Sequence, residues 1–273
     1  MTPHAFDQQL ELFYGGVTPN RATVYARLRD VPATPGMTLS GFIRGPHCLY
    51  STTLPATIRL TDAGPGETLL ARAMVPDPCY WSPELPFLYD VHVELKRDGE
   101  VLASVDRVFG MRNFGARGQF LYLNGKRWTV RGAMCMTEPD LAAWHDEPLA
   151  MYCTMPPSDV LCEEASRLGV LLVVQAPNEP NATAELQRLA RHAAVALLVH
   201  SPGVADPAWQ AAAPNIALAG LLNADAVPNR PALAQPIIAF RPANAASLEA
   251  LRAASDQLQA DLAPRGDFAG YIV

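Results

Sequence analysis

The pattern of hydrophobic residues changes near Gly110, and this change constrains the fold more than any other feature of the sequence. Before it, short runs such as residues 89–95 place apolar side chains at every second position, which is typical of strands with one buried face. After it, continuous apolar runs alternate with segments of helical spacing, which is typical of parallel βα units. The sequence therefore predicts two domains, residues 1–112 and residues 113–273.

The first domain is predicted to be an immunoglobulin-like β-sandwich, because about seven short strands in roughly 110 residues fit that fold. Asp98 and Gly99 follow the run at 89–95 and are the residue types that a tight hairpin turn needs. Residues 101–108 are therefore expected to return as the partner strand. The remaining predicted strands cover residues 22–28, 37–43, 57–60 and 68–75.

The second domain is predicted to be a shortened, degenerate (β/α) TIM-type barrel. Asn124-Gly125 indicates a hairpin between 121–123 and 127–130, and Ser158 and Gly169 are suited to begin and end a helix. A full barrel takes about 250 residues, and only 161 follow residue 112. An open α/β sheet is the alternative. Buried strands are expected at residues 170–174, 195–199, 216–222, 236–240 and 268–273, and a helix at 247–262.

Composition excludes several classes of partner. The net charge is −6 without a run of Lys or Arg, so nucleic acid and anionic membranes are not expected to bind. No apolar run reaches the roughly 18–20 residues of a membrane span, and the start of the chain lacks the pattern of a signal peptide. A cytoplasmic protein without metal or cofactor is predicted. Five cysteines without metal-type spacing are expected to be mostly buried thiols: Cys48, Cys79, Cys135, Cys153 and Cys162.

Three motifs follow one another between residues 80 and 132. They read YWSPELPFLY at 80–89, VFGMR at 108–112 and FLYLNGKRWTVRG at 120–132. Their order resembles glycoside hydrolase family 2, the β-galactosidase, β-glucuronidase and β-mannosidase group. The resemblance implies an immunoglobulin-like sandwich followed by a catalytic barrel, and the N-terminal jelly-roll domain of the family is expected to be absent.

The resemblance also implies where the catalytic carboxylates should lie. Retaining glycosidases use two carboxyl groups, which belong at the carboxyl ends of barrel strands. The position of the acid/base falls on Gly203 and that of the nucleophile on Arg241, or on Phe240 if the register slips by one. Neither Gly nor Arg can perform these roles. The prediction is a catalytically inactive homologue that acts as a binding or assembly module.

Two kinds of partner are expected for such a module. A shortened barrel leaves strand edges and apolar surface uncovered, and such surfaces are usually covered by another chain. A homo-oligomer or a dedicated protein partner is therefore expected, with carbohydrate as a further ligand class.

The alternative function is a glycoside hydrolase for β-glycosides with relocated carboxylates. It would need two acidic side chains facing each other in one pocket at the carboxyl ends of the strands. The competing interpretation is that these groups are solvated loop charges and hydrogen-bonded structural histidines. The residues concerned are Asp140, Asp146 and Glu147 in the loop after the first barrel strand, Glu179, Asp206, His145 and His200.

Methionines cluster near the predicted mouth of the barrel. Met134, Met136, Met151 and Met155 would form a soft apolar pocket together with Tyr152. The prediction is a ligand-binding pocket at this place. The alternative is that the methionines only fill space where the polar groups of the family were lost.

Overall fold

The computed structural model describes residues 2–135, 139–177, 182–201, 207–226, 235–245 and 247–273. The chain forms two compact units. The first contains Met1–Trp81 and Phe87–Met111, and the second contains Ser82–Pro86 and Arg112–Val273. The short segment Ser82–Pro86 lies within the first domain of the sequence prediction, but it groups with the second unit.

The first unit is a sandwich-like assembly of antiparallel strands in the order β1-β2-β5-β4-β3-β6-β7. Only Thr61 and Asp62 of β4 pair with β5, so the sheet divides there into two halves. Val24 of β2 and Val93 of β6 belong to one buried cluster, which shows that both halves share a core. The elements are α1 Pro3–Gln9, β1 Leu10–Thr18, β2 Arg21–Pro32, β3 Met37–His47, β4 Ala56–Asp62, β5 Thr68–Pro76, β6 Leu88–Arg97 and β7 Glu100–Phe109.

The local sequence explains the hairpin β6–β7. Alternate residues of β6 are buried, as expected of a strand with one face in the core. Asp98 and Gly99 both have positive φ, 50° and 89°, and this conformation gives the tight turn that matches the twist of the strands. The predicted hairpin and the other predicted strands of this unit are confirmed.

The second unit begins with a small antiparallel sheet, β8 Phe114–Arg117, β9 Phe120–Leu123 and β10 Lys126–Trp128. Asn124 and Gly125 form its turn with φ values of 51° and 77°, as predicted. The predicted return strand at 127–130 is wrong in its extent. The return strand ends at Trp128, and Val130 begins the first strand of the following barrel.

The rest of the unit is a closed barrel of parallel strands, β11 to β17 in chain order. The alternative of an open sheet is wrong, because β17 pairs with β11 through Gly270 and Val130. The strands are β11 Val130–Met134, β12 Ala150–Cys153, β13 Leu172–Gln175, β14 Val195–His200, β15 Ala217–Asn223, β16 Ile237–Phe240 and β17 Gly270–Ile272.

Helices follow most of these strands, and their ends agree with the sequence. Ser158 Oγ accepts a hydrogen bond from Leu161 N at the start of α3, and Gly169 ends that helix with φ of 78°. Ser247 likewise caps α6. Both predicted helices are confirmed. The helices are α2 Leu141–Asp146, α3 Asp159–Leu168, α4 Ala182–Leu189, α5 Pro207–Ala212 and α6 Leu248–Leu262, with 3-10 turns at Ala224–Ala226 and Ala263–Arg265. None of the helices in the described ranges has the length and apolarity to cross a membrane.

Candidate functional site

An aromatic pair occupies the interior of the barrel near the carboxyl ends of its strands. The rings of Tyr152 on β12 and Phe240 on β16 meet edge to face, with 5.7 Å between centroids and 66° between planes. Because β12 and β16 are not neighbours in the barrel, this contact crosses its interior. Side-chain packing therefore fills the barrel interior at this level.

The polar groups beside this pair are neutral. Tyr152 Oη donates a hydrogen bond to Gln175 Oε1 at 2.9 Å, where β13 ends. Burial raises the pKa of Tyr152 to about 12, so the hydroxyl stays protonated at neutral pH. A general acid or base works best with a pKa near the working pH. This hydroxyl–amide pair is therefore suited to structural support rather than to proton transfer.

Arg241 lies at the predicted nucleophile position and is engaged by two carboxylates. Its Nε is 3.0 Å from Asp225 Oδ1, and its Nη1 is 3.0 Å from Asp261 Oδ2. The hydrogen bonds to Asp261 and Asp225 raise the pKa of Arg241, so the side chain remains a cation. Phe240, the alternative position, faces the interior. Gly203, the predicted acid/base position, lies outside the described residues.

The structure corrects the predicted location of Asp146 and Glu147. Both residues stand at the far end of α2, directly before β12 begins at Ala150. They therefore lie at the amino-terminal ends of the strands, on the face opposite to the one where barrel enzymes carry out chemistry. The physical reason is that α2 returns the chain along the barrel before β12. Glu147 Oε2 is also paired with Arg252 Nη1 at 3.2 Å.

Two further described carboxylates that follow barrel strands, Asp140 and Asp159, have partners as well. Asp140 caps α2 by accepting from the backbone N–H groups of Ala142 and Ala143. Burial opposes the ionised form of Asp159, but hydrogen bonds from Arg188 and His192 lower its pKa. These bonds measure 2.5 and 2.9 Å. Glu179 and Asp206 lie outside the described residues.

The two histidines that were considered for catalysis or metal binding occupy separate places. His200 is buried, its Nδ1 donates to Ser201 O at 2.8 Å, and its ring packs against Trp209. Its Nε2 has no hydrogen-bond partner among the described residues. His145 lies instead at the amino-terminal face. Within the described ranges, no group of three His, Cys, Asp or Glu side chains is arranged to bind a metal ion.

The described methionines of the predicted pocket differ in their surroundings. Met151 is fully buried and, as the neighbour of the inward-facing Tyr152, points away from the barrel interior. Met155 is 74% exposed in the loop after β12, and Met134 is half-buried at the end of β11. Met136 lies outside the described residues. Tyr152 lies inside the barrel, where it contacts Phe240.

All five cysteines are thiols rather than disulfides, as predicted, but only Cys153 and Cys162 are buried. Burial raises the pKa of both to about 12. Because the thiolate is the reactive form, these two side chains are suited to packing.

Sequence reasoning missed the role of Arg112, the last residue of the motif at 108–112. Its side chain is buried, with 3% exposure. It donates hydrogen bonds to the carbonyl oxygens of His192, Ala193 and Asn215, which precede β14 and β15. A charged residue directly after an apolar strand is the signal that could have pointed to such an anchor.

Comparisons with known proteins agree with this architecture. The family model described as Glycosyl hydrolases family 2 matches residues 51–112. A β-galactosidase from Oenococcus oeni is 34% identical over 79 residues, which cover 28% of this chain and 8% of that protein. The aligned part is thus a small fraction of the curated relative.

Solved structures are similar over nearly the whole chain. A β-glucuronidase from Bacteroides uniformis has a TM-score of 0.59 at 16% identity, covering 97% of this chain and 39% of that one. A glycosyl hydrolase family 2 member from Bacteroides cellulosilyticus has a TM-score of 0.61 at 14% identity, covering 97% and 45%. The chain therefore spans less than half the length of these proteins, and at such identities the likeness concerns the fold. Taken with the sequence matches, it makes the chain similar in fold to proteins of glycosyl hydrolases family 2.

Proposed function

We propose that this chain is a catalytically inactive homologue of family 2 glycosidases that serves as a binding or assembly module. The contact between Tyr152 and Phe240 inside the barrel is the observation that carries the proposal. In the proposed architecture, an immunoglobulin-like sandwich precedes a shortened, degenerate (β/α) TIM-type barrel. Helices that follow most of the parallel strands support this assignment.

The chemistry of the described residues at the barrel mouth supports this proposal. A retaining mechanism needs two carboxyl groups about 5–5.5 Å apart on either side of the bond to be cleaved. Arg241 carries a positive charge that Asp225 and Asp261 hold in place. Asp140 and Asp159, which follow barrel strands, are likewise engaged by other groups. These partners support a barrel retained for its shape rather than for hydrolysis.

The role in assembly is supported by the first unit, where β7 is an edge strand. Val101, Leu102 and Val108 on this strand are 47%, 39% and 54% exposed. An exposed apolar edge strand is a surface on which another strand can pair. We propose that a second copy of this chain covers it. Carbohydrate is the further proposed ligand class, and the five thiols support a reducing compartment such as the cytoplasm.

Light scattering coupled to size exclusion tests the assembly. We expect a mass that is a multiple of the 29.5 kDa chain, and we expect V101K/V108K to shift it to that of one chain, because lysines on an edge strand oppose pairing. Met74→Lys is the matched control, since Met74 is exposed on the interior strand β5, and it should leave the mass unchanged. A monomeric wild-type chain, or an assembly that V101K/V108K leaves intact, would exclude pairing through β7.

A further inference from the structure

A cavity of about 460 Å³ opens at the amino-terminal face of the barrel. Its floor is made by Leu149 and Ala150 at the start of β12 and by Leu171 before β13, all of them buried. The volume falls within the roughly 300–1,000 Å³ of small-molecule sites. The proposed assembly uses β7 of the first unit, so this cavity is independent of it.

Two tryptophans line the cavity above this apolar floor. Trp144 on α2 is almost fully buried, whereas Trp128 at the end of β10 is half-buried. The ring of Phe114 meets that of Trp128 at 86° with 5.7 Å between centroids, which fixes the orientation of the indole. A rigid, partly exposed indole in a concave site offers an apolar surface and a negative π-face to a ligand.

The charged groups of the cavity give it an excess of negative charge. Glu84 and Asp146 line it and are exposed. Within the described part of the chain, neither carboxylate makes an ion pair. Arg131 also lines the cavity, but its Nη1 is 2.7 Å from Asp256 Oδ1. The arginine charge is thus compensated, while the two carboxylates remain available to a ligand.

These features together select for a cation with an apolar body. An ammonium group can donate charge-assisted hydrogen bonds to carboxylates and is attracted to the face of an indole. The hydrocarbon part of such a ligand would contact the apolar floor, and burial of this apolar surface would contribute to the binding free energy. We propose that this cavity binds a small organic ammonium ion.

A pair of probes that differ in charge but not in shape tests the proposal. Benzylamine and benzyl alcohol are titrated against the whole chain at low ionic strength, and dissociation constants are measured by ligand-observed NMR. We expect benzylamine to bind about tenfold more tightly than benzyl alcohol, because its ammonium group is attracted to two partly solvated carboxylates and one indole. Added salt should weaken this preference for the amine. Equal binding of the two probes, or no binding of benzylamine, would overturn the proposal.

Substitutions locate the binding in the cavity. E84Q/D146N should reduce the preference for the amine to about twofold or less. The double substitution removes both negative charges, while the amide side chains keep the shape of the carboxylates. Glu147→Gln is the matched control, since Glu147 is adjacent in the chain but is bound by Arg252 and does not line the cavity, so it should keep the preference. Trp128→Leu should weaken the binding of both benzylamine and benzyl alcohol. A preference that survives in E84Q/D146N with an unchanged melting temperature would place the binding elsewhere.

Discussion

Replacing Arg112 by alanine should lower the free energy of unfolding of the second unit by about 3–5 kcal/mol. The guanidinium group is buried and donates to the carbonyl oxygens of His192, Ala193 and Asn215. Alanine would leave these acceptors without their donor in a place that water reaches poorly, and each buried unsatisfied group costs about 1–3 kcal/mol. Urea unfolding followed by fluorescence measures the effect, because Trp128, Trp144 and Trp209 all belong to the second unit.

Arg167→Ala is the matched control for this experiment. Arg167 is half-exposed on α3 and pairs with Glu164 one turn away, and surface pairs of this kind contribute about 0.3–0.5 kcal/mol. Removing it should therefore hardly move the unfolding curve. An Arg112→Ala variant that loses no more unfolding free energy than Arg167→Ala would contradict the anchoring role of Arg112. The carbonyl groups before β14 and β15 would then have other hydrogen-bond donors.

Gly169→Ala should destabilise the second unit by about 3–5 kcal/mol. Gly169 ends α3 with φ of 78°, a conformation that side chains rarely adopt. A β-carbon there would lie 2.2 Å from the carbonyl oxygen of Pro83 and 3.2 Å from His145 Nδ1. The substitution therefore combines backbone strain with a collision against main chain, which has no flexible end to move aside.

Gly266→Ala separates these two causes. Gly266 has a similar φ of 68°, but nothing lies within 4 Å of the position of its β-carbon. Its substitution should cost only the strain, about 1–2 kcal/mol. Comparison of the two unfolding free energies thus isolates the close approach of Pro83 to the end of α3. Equal costs at both glycines would contradict the packing of the segment Ser82–Pro86 against this helix.

Features set by neighbouring residues could be predicted from the sequence. The turns at Asp98-Gly99 and Asn124-Gly125 depend on residue types that tolerate positive φ, and both appear with such values. The caps at Ser158 and Ser247 depend on a hydroxyl group three residues before a free N–H. Periodicity located the strands for the same reason, because a strand with one buried face has apolar residues at every second position of the sequence.

Features set by distant residues could not be predicted in this way. Tyr152 and Phe240 meet across the closed barrel, and no local pattern records such a contact. Asp146 and Glu147 were assigned to the wrong face because the sequence does not show where the short helix α2 turns the chain back. Arg112 finds its partners in two loops far along the chain, so its role depends on the closed barrel.

Hydrolysis of a panel of nitrophenyl β-glycosides, including the galactoside, glucuronide and mannoside, tests the inactive barrel most directly. The panel is measured with the purified chain and with an active family 2 β-glucuronidase as the positive control. The packing of Tyr152 against Phe240 and the ion-paired Arg241 predict release of nitrophenol at the rate of buffer alone for every glycoside. Turnover that disappears in Glu179→Gln or Asp206→Asn, while the variant keeps the wild-type melting temperature, would contradict this and show that carboxylates catalyse hydrolysis in this barrel.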